Sequence, residues 1–219
     1  MGQNLSQELG EDLIRRQKNE ESLAANIRVA VPGIIQNFDA KEQTVRVQPA
    51  IREVVTGSDY TPTFIALPEL LDVPVVLPRA GDYVITLPIR PGDECLVVFA
   101  DQCIDAWWQS GGVQNQMDRR RHDLSDGFAI LGVWSQPRRL NNYDSDGLRL
   151  LNTKTGSSMI LDEKGVTIQG TLTVTGNSVM KGTMTVAGDS TMQGALVAGG
   201  VDLVGHTHTC PDGQTGGPQ

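Results

Sequence analysis

Two of the chain's three histidines stand two residues apart, in Gly205-His206-Thr207-His208-Thr209-Cys210. In an extended strand, residues i and i+2 point to the same side. His206 and His208 then face one way, and Thr207 and Thr209 face the other. Neutral imidazole nitrogen is a good ligand for transition metals, so the pair offers two donors to one ion. Three such pairs meeting on an axis would bring six imidazoles to one level. That set suits an octahedral ion such as iron or nickel better than tetrahedral zinc. The alternative arrangement turns both rings out to solvent. Cys210 could join the pair in a zinc site; otherwise it is a buried or free thiol.

Other constellations are weaker. His122 stands in RRRHDLSDG near Asp123 and Asp126, with no placed nucleophile beside it, and is expected to be a structural histidine or to lie in a solvated loop. Asn142-Tyr143-Asp144-Ser145-Asp146-Gly147 begins like a calcium loop, but the position that needs a bidentate Glu holds Thr153, so a turn is expected. The chain contains no G-x-S-x-G, P-loop or H-E-x-x-H pattern. A hydrolase using His122 or the His-x-His pair is the enzymatic alternative. A catalytic metal keeps an open coordination position, and six histidines would leave none.

The histidine pair follows directly on a repeat. Residues 169–204 comprise three copies of 12 residues: QGTLTVTGNSVM, KGTMTVAGDSTM and QGALVAGGVDLV. Gly170, Gly182 and Gly194 align, as do Leu172, Met184 and Leu196. In the first copy Leu172 and Val174 alternate with Thr171, Thr173 and Thr175, the period of a strand with one apolar face. Such a short repeat buries too little to stand alone. Three chains wound about one axis would enclose the apolar positions and pair the open strand edges. The repeat therefore predicts a homotrimeric β-prism or intertwined β-helix, with a single-chain solenoid as the alternative.

Upstream, residues 26–137 hold short apolar or alternating runs (IRVAVPGIIQNF, TVRVQPAI, DYVITLPI, ECLVVFA) broken by Pro, Gly and Asp turns. This predicts a small β-barrel or sandwich. LPELLDVPVVLPRAG is Pro-rich and is expected as a long loop or an edge. Trp107, Trp108 and Trp134 are expected as core or interface anchors. LRLLN, SMILD and VTIQ, separated by TKTG and DEKG turns, predict a meander over 144–168. Residues 4–25 carry Leu5, Leu9, Leu13 and Leu23 among charges and predict a short helix, either solvated or docking. MGQNLS also fits a myristoylation pattern, which is short and common by chance.

Composition narrows the classes. With 26 acidic against 18 basic residues the net charge is −8, which argues against a nucleic-acid binder that works by neutralising phosphates. Residues 144–219 contain no aromatic residue, and residues 166–219 hold 11 of the 24 glycines but only four charges. A monomeric core is hard to build from such a segment. No apolar run is long enough for a membrane-spanning helix. The polar start shows no secretory signal, and three cysteines are too few for a disulfide scaffold, so synthesis in a reducing cytosol is expected.

DECLVVFADQCIDAWWQSGG, RRRHDLSDGFAILG, the Gly/Thr/Val-rich repeat and the terminal GHTHTCPDGQTG together resemble the central baseplate spikes of contractile-tailed bacteriophages, membrane-puncturing needles related to the tips of tailocins and type VI secretion systems. The resemblance implies an all-β protein. Residues 1–25 would form an N-terminal helical segment and residues 26–140 an OB-fold-like β-barrel. Residues 141–204 would form a trimeric intertwined β-helix, and residues 205–219 a metal-bound apex. It implies that His206 and His208 bind an iron ion, one per trimer, on the three-fold axis. It implies a homotrimer in the virion's tail baseplate, made in the host cytoplasm. The tail hub would be the partner at the N-terminal end and the bacterial outer membrane at the tip, with no nucleic acid bound. The expected function is to pierce that membrane during sheath contraction, as a mechanical part and not an enzyme, since no lysozyme domain stands between barrel and β-helix. A trimeric receptor-binding tail fibre and a tailocin or type VI-like tip are the alternatives.

Overall fold

The computed structural model describes residues 13–17, 27–57, 60–203, 205–214 and 216, and divides the chain into two compact units, residues 1–143 and 144–219. Of the expected N-terminal helix, residues 13–17 are helical. Its remainder, and the myristoylation pattern, lie outside the described residues.

In the first unit, nine strands follow one another: β1 (Ala30–Asp39), β2 (Thr44–Pro49), β3 (Glu53–Thr56), β4 (Pro62–Ile65), β5 (Leu70–Val76), β6 (Arg79–Ala80), β7 (Tyr83–Val84), β8 (Glu94–Phe99) and β9 (Gly127–Leu131). Five of them close into a barrel in the order β1-β2-β5-β9-β8, with β8 returning to β1. All its pairings are antiparallel except β5 with β9. This is a five-stranded Greek-key barrel, the architecture class that includes OB-folds.

Strand alternation builds the core. Cys95, Val97 and Phe99 of β8 and Val45 and Val47 of β2 point inward, where they meet Ile35, Leu70, Val73 and Ala129. Two glycines let strands approach where no side chain fits. A Cβ on Gly33 would lie 2.3 Å from Val47 Cγ1, and one on Gly127 would lie 2.7 Å from Val97 Cγ1.

The Pro-rich stretch departs from expectation. It supplies β5, which is flanked by β2 and β9 inside the barrel. Its buried residues are Leu70, Val73 and Pro74, and the first two are three apart because Asp72 takes a left-handed backbone (φ 52°) and the register with β2 shifts between Val45 and Val47. Pro74 has no N–H to give, and the next amide, of Val75, donates to the Gln43 carbonyl at 3.1 Å. The bulge hides the period-two pattern by which a strand is read. Two hairpins, β3–β4 and β6–β7, pair only internally. Between β8 and β9 lies a single short helix, Asp105–Ser110.

In the second unit, β10 (Leu148–Leu151), β11 (Ser158–Asp162) and β12 (Gly165–Gln169) form an antiparallel meander at the places expected. Its turns use side-chain oxygens. Asp162 Oδ1 accepts from the amides of Lys164 and Gly165, and Asn152 Oδ1 from those of Lys154 and Thr155. Residues 170–196 form no strand within this chain. Two small hairpins follow, β13 (Val197–Ala198) with β14 (Val201–Asp202), and β15 (Thr209–Cys210) with β16 (Gly213–Gln214). Among the described residues no helix is long and apolar enough to cross a membrane.

Candidate metal centre

The histidine pair lies between the last two hairpins. Gly199 and Gly200 both take positive φ (59° and 85°) and turn β13 into β14, and the Leu203 amide closes on the Leu196 carbonyl at 2.7 Å. A Cβ on Gly205 would lie 3.3 Å from Asp202 Oδ2, and the His206 amide donates to the Asp202 carbonyl at 3.1 Å. The chain then passes through His206 to His208 and enters β15. Residues 206–208 are outside any strand of this chain, yet the two rings do come together. Their centroids are 4.9 Å apart and their planes cross at 83°.

His206 is half-buried and His208 is exposed. The Nδ1 of His206 is enclosed and has no hydrogen-bond partner among the described residues. A buried polar nitrogen without a partner is costly, because it loses water and gains nothing. A neutral imidazole carries a lone pair on one nitrogen, so an ion is one way to satisfy it. Two neighbouring rings and an orphaned nitrogen thus fit a metal-binding role. Cys210 lies in β15, and the direction of its side chain is outside what is described.

Elsewhere, Cys103, Asp105 and Asp126 bring a thiol sulfur and two carboxylate oxygens within 4.8 Å of one another. Sequence spacing could not reveal this group, since its members come from opposite sides of a long loop. A cation already sits there. Arg120 donates from Nε to Asp126 Oδ2 at 2.7 Å and from Nη2 to Asp126 Oδ1 at 2.8 Å, and pairs with Asp105 at 2.8 Å. The Ile104 amide gives Asp126 a further hydrogen bond at 2.9 Å. These bonds hold the Arg120 guanidinium protonated far above neutral pH. The cluster is a clamp that ties the start of the Asp105–Ser110 helix to the start of β9.

Of the two readings of His122, a structural position or a solvated loop, the contacts favour the first. Its Nδ1 lies 3.1 Å from the Arg28 carbonyl and its Nε2 3.4 Å from Asp101 Oδ1, and it sits at positive φ (48°). Hydrogen bonds from Arg121 hold the Asp101 carboxyl below its ordinary range. Asp144 and Asp146 lie in a turn, with the Asp146 amide on Asp144 Oδ1 at 3.0 Å. Trp107, Trp108 and Trp134 are outside the core and partly exposed. Trp107 packs edge-on against Phe128, with ring centroids 5.8 Å apart.

Residues 31–132 match the family described as Phage protein Gp138 N-terminal domain. The match runs from β1 to just past β9, covers just under half of the chain, and supports a phage structural protein, a component of the virion. No curated protein matches the chain.

Proposed function

We propose that this chain is the central baseplate spike of a contractile phage tail, a homotrimer that pierces the bacterial outer membrane when the sheath contracts. One observation carries the reading. In the meander, Leu148, Leu161 and Val166 stand opposite one another in one row, and Leu150, Met159 and Ile168 in the next. All six point to one face, and each is 44% to 64% exposed in the single chain. The apolar residues of the repeat, among them Leu172, Val174, Met184 and Val186, are likewise uncovered. Monomers rarely leave so long an apolar series in water.

A second and a third copy wound about a common axis would cover these residues. Burial would stabilise the assembly by on the order of 1 kcal/mol per half-exposed side chain. It would also pair the backbone of residues 170–196, which form no strand within the chain. Intertwined strands suit a needle under load, because no chain can peel away without breaking pairing with its neighbours. The barrel end would face the tail hub and the histidine end the membrane. The segment 166–219, with only Lys181, Asp189, Asp202 and Asp212 charged, would limit the desolvation cost at the lipid. A mechanical role of this kind requires no catalysis, and no enzymatic activity is assigned.

His206 and His208 would hold one iron ion per trimer. The ion would supply cross-linking of the three segments that follow the repeat. Because it binds only the assembled state, it would stabilise that state by linkage. Within the chain, His206 and His208 bring two imidazole ring centroids within 4.9 Å of each other, one ring edge-on to the other.

The test is the double variant His206→Ala/His208→Ala in the full chain, with bound metal and trimer dissociation measured together. The account expects the metal to disappear and dissociation on dilution or heating to become easier. Unchanged metal content and unchanged trimer stability would refute the apex site.

A further inference from the structure

The first unit carries two apolar features that, among the described residues, do not meet each other. One is a cleft of about 180 Å³ lined by Ile27, Val29, Ile51, Leu67, Phe99 and Leu124. The other is the helical stretch at residues 13–17, whose Leu13 and Ile14 are 67% and 56% exposed.

The chain enters β1 across the wall of the cleft, and three contacts hold it there. The Val29 carbonyl accepts from the Phe99 amide at 2.9 Å, the Arg28 carbonyl meets His122, and the Arg28 guanidinium pairs with Glu53. The position of Ile27 is thereby fixed. Nine residues separate it from Gln17, enough to span up to about 30 Å when extended. The cleft volume matches one or two aliphatic side chains, not a large ligand. Arg28 and Glu53 also line the cleft but pair with each other, and the other lining residues are apolar, so an apolar side chain is the fitting occupant.

We infer that in the assembled protein the helical segment around Leu13 and Ile14 of one copy seats in this cleft of the neighbouring copy. A ring of three needs two different complementary patches on each chain, one projecting and one concave. This chain presents one of each, with Leu13 and Ile14 exposed among the described residues. The exchange would lock the three barrels together. The inference rests on the trimeric reading above, since it requires a second copy.

The experiment uses the full chain with a benzophenone amino acid in place of Leu13. After irradiation, the account expects a product of two-chain size in a denaturing gel. Peptide mass spectrometry should join residue 13 to peptides containing Ile51 or Leu67. A trimer that yields no product between chains, or only products within one chain, would overturn the exchange and leave the trimer intact. A protein that sediments as a single chain would overturn both. A second variant, Ile51→Glu, fills the cleft with charge. With the cleft closed, trypsin cleavage after Arg15 and Arg16 should run about tenfold faster, as expected when an apolar side chain of this size loses its seat. An unchanged rate would also count against the exchange.

Discussion

Arg120 grips the wholly buried carboxylate of Asp126 with two nearly parallel hydrogen bonds, at 2.7 and 2.8 Å. Fork-to-fork pairing of this kind is directional as well as strong. It holds the loop between β8 and β9 against the barrel and so closes the unit. Asp126→Ala would strand the Ile104 amide and leave Arg120 without its main partner. The expected loss is about 2–3 kcal/mol, less than the full cost of breaking a wholly buried pair, because Arg120 keeps some contact with water. All three tryptophans lie in this unit, so the fluorescence midpoint in urea reads the change directly. An unchanged midpoint would show that the clamp carries no net stability.

Gly33 leaves no room for a side chain. Gly33→Ala would press a methyl group into Val47, whose Cγ1 is 2.3 Å from the added Cβ position. Overpacking between two barrel strands should cost about 1–3 kcal/mol. The same urea titration checks it, and Gly176→Ala, where the added Cβ meets nothing within the chain, serves as the comparison for the barrel signal.

Acid should loosen the segment that follows β9. Glu94 accepts the Ser135 amide at 2.6 Å and the Ser135 hydroxyl at 2.8 Å, with Arg138 nearby. The amide bond above all holds its carboxyl below the ordinary value of 4.5. A depressed folded pKa stabilises the fold above the unfolded value, and that contribution is lost as pH falls through the folded one. Melting temperatures measured from pH 7 down to about pH 3 should therefore fall less steeply for Glu94→Gln than for the parent. Parallel curves would remove Glu94 from the account.

Cys95 should be chemically silent. Burial pushes its thiol up to about 11, and thiolate is the reactive form. At neutral pH an alkylating reagent should label Cys95 only after unfolding, as peptide mapping would show. Labelling of Cys95 in the folded protein would mean that the barrel opens readily.

The apolar face of the meander should govern assembly and not barrel stability. Leu161→Lys places a charge at the middle strand of that face, opposite Leu148 and Val166. The trimer should dissociate, while the tryptophan unfolding midpoint stays where it was. A variant that still sediments as a trimer would argue against this face as the interface.

Much of this was legible in the residues. Alternation in TVRVQP and ECLVVF marked β2 and β8, and the TKTG and DEKG turns marked the meander. The strand β5 was hidden because Asp72 breaks the alternation and Pro74 reads as a breaker. The extended strand expected to carry His206 and His208 is absent from this chain, and the local path after Asp202 brings their ring centroids within 4.9 Å instead. The clamp of Arg120, Asp105 and Asp126 was not legible, because its members meet only through the fold. The repeat's apolar positions were plain in the residues, and in the single chain Leu172, Val174, Met184 and Val186 stay uncovered.

The central claim is an assembly of three chains closed by one ion, and native mass spectrometry of the purified full-length protein tests it most directly. The account predicts a species of three times the 23.6 kDa chain mass, heavier by a single iron ion that is lost on acidification. A single-chain species, or a metal bound to each chain separately, would contradict it.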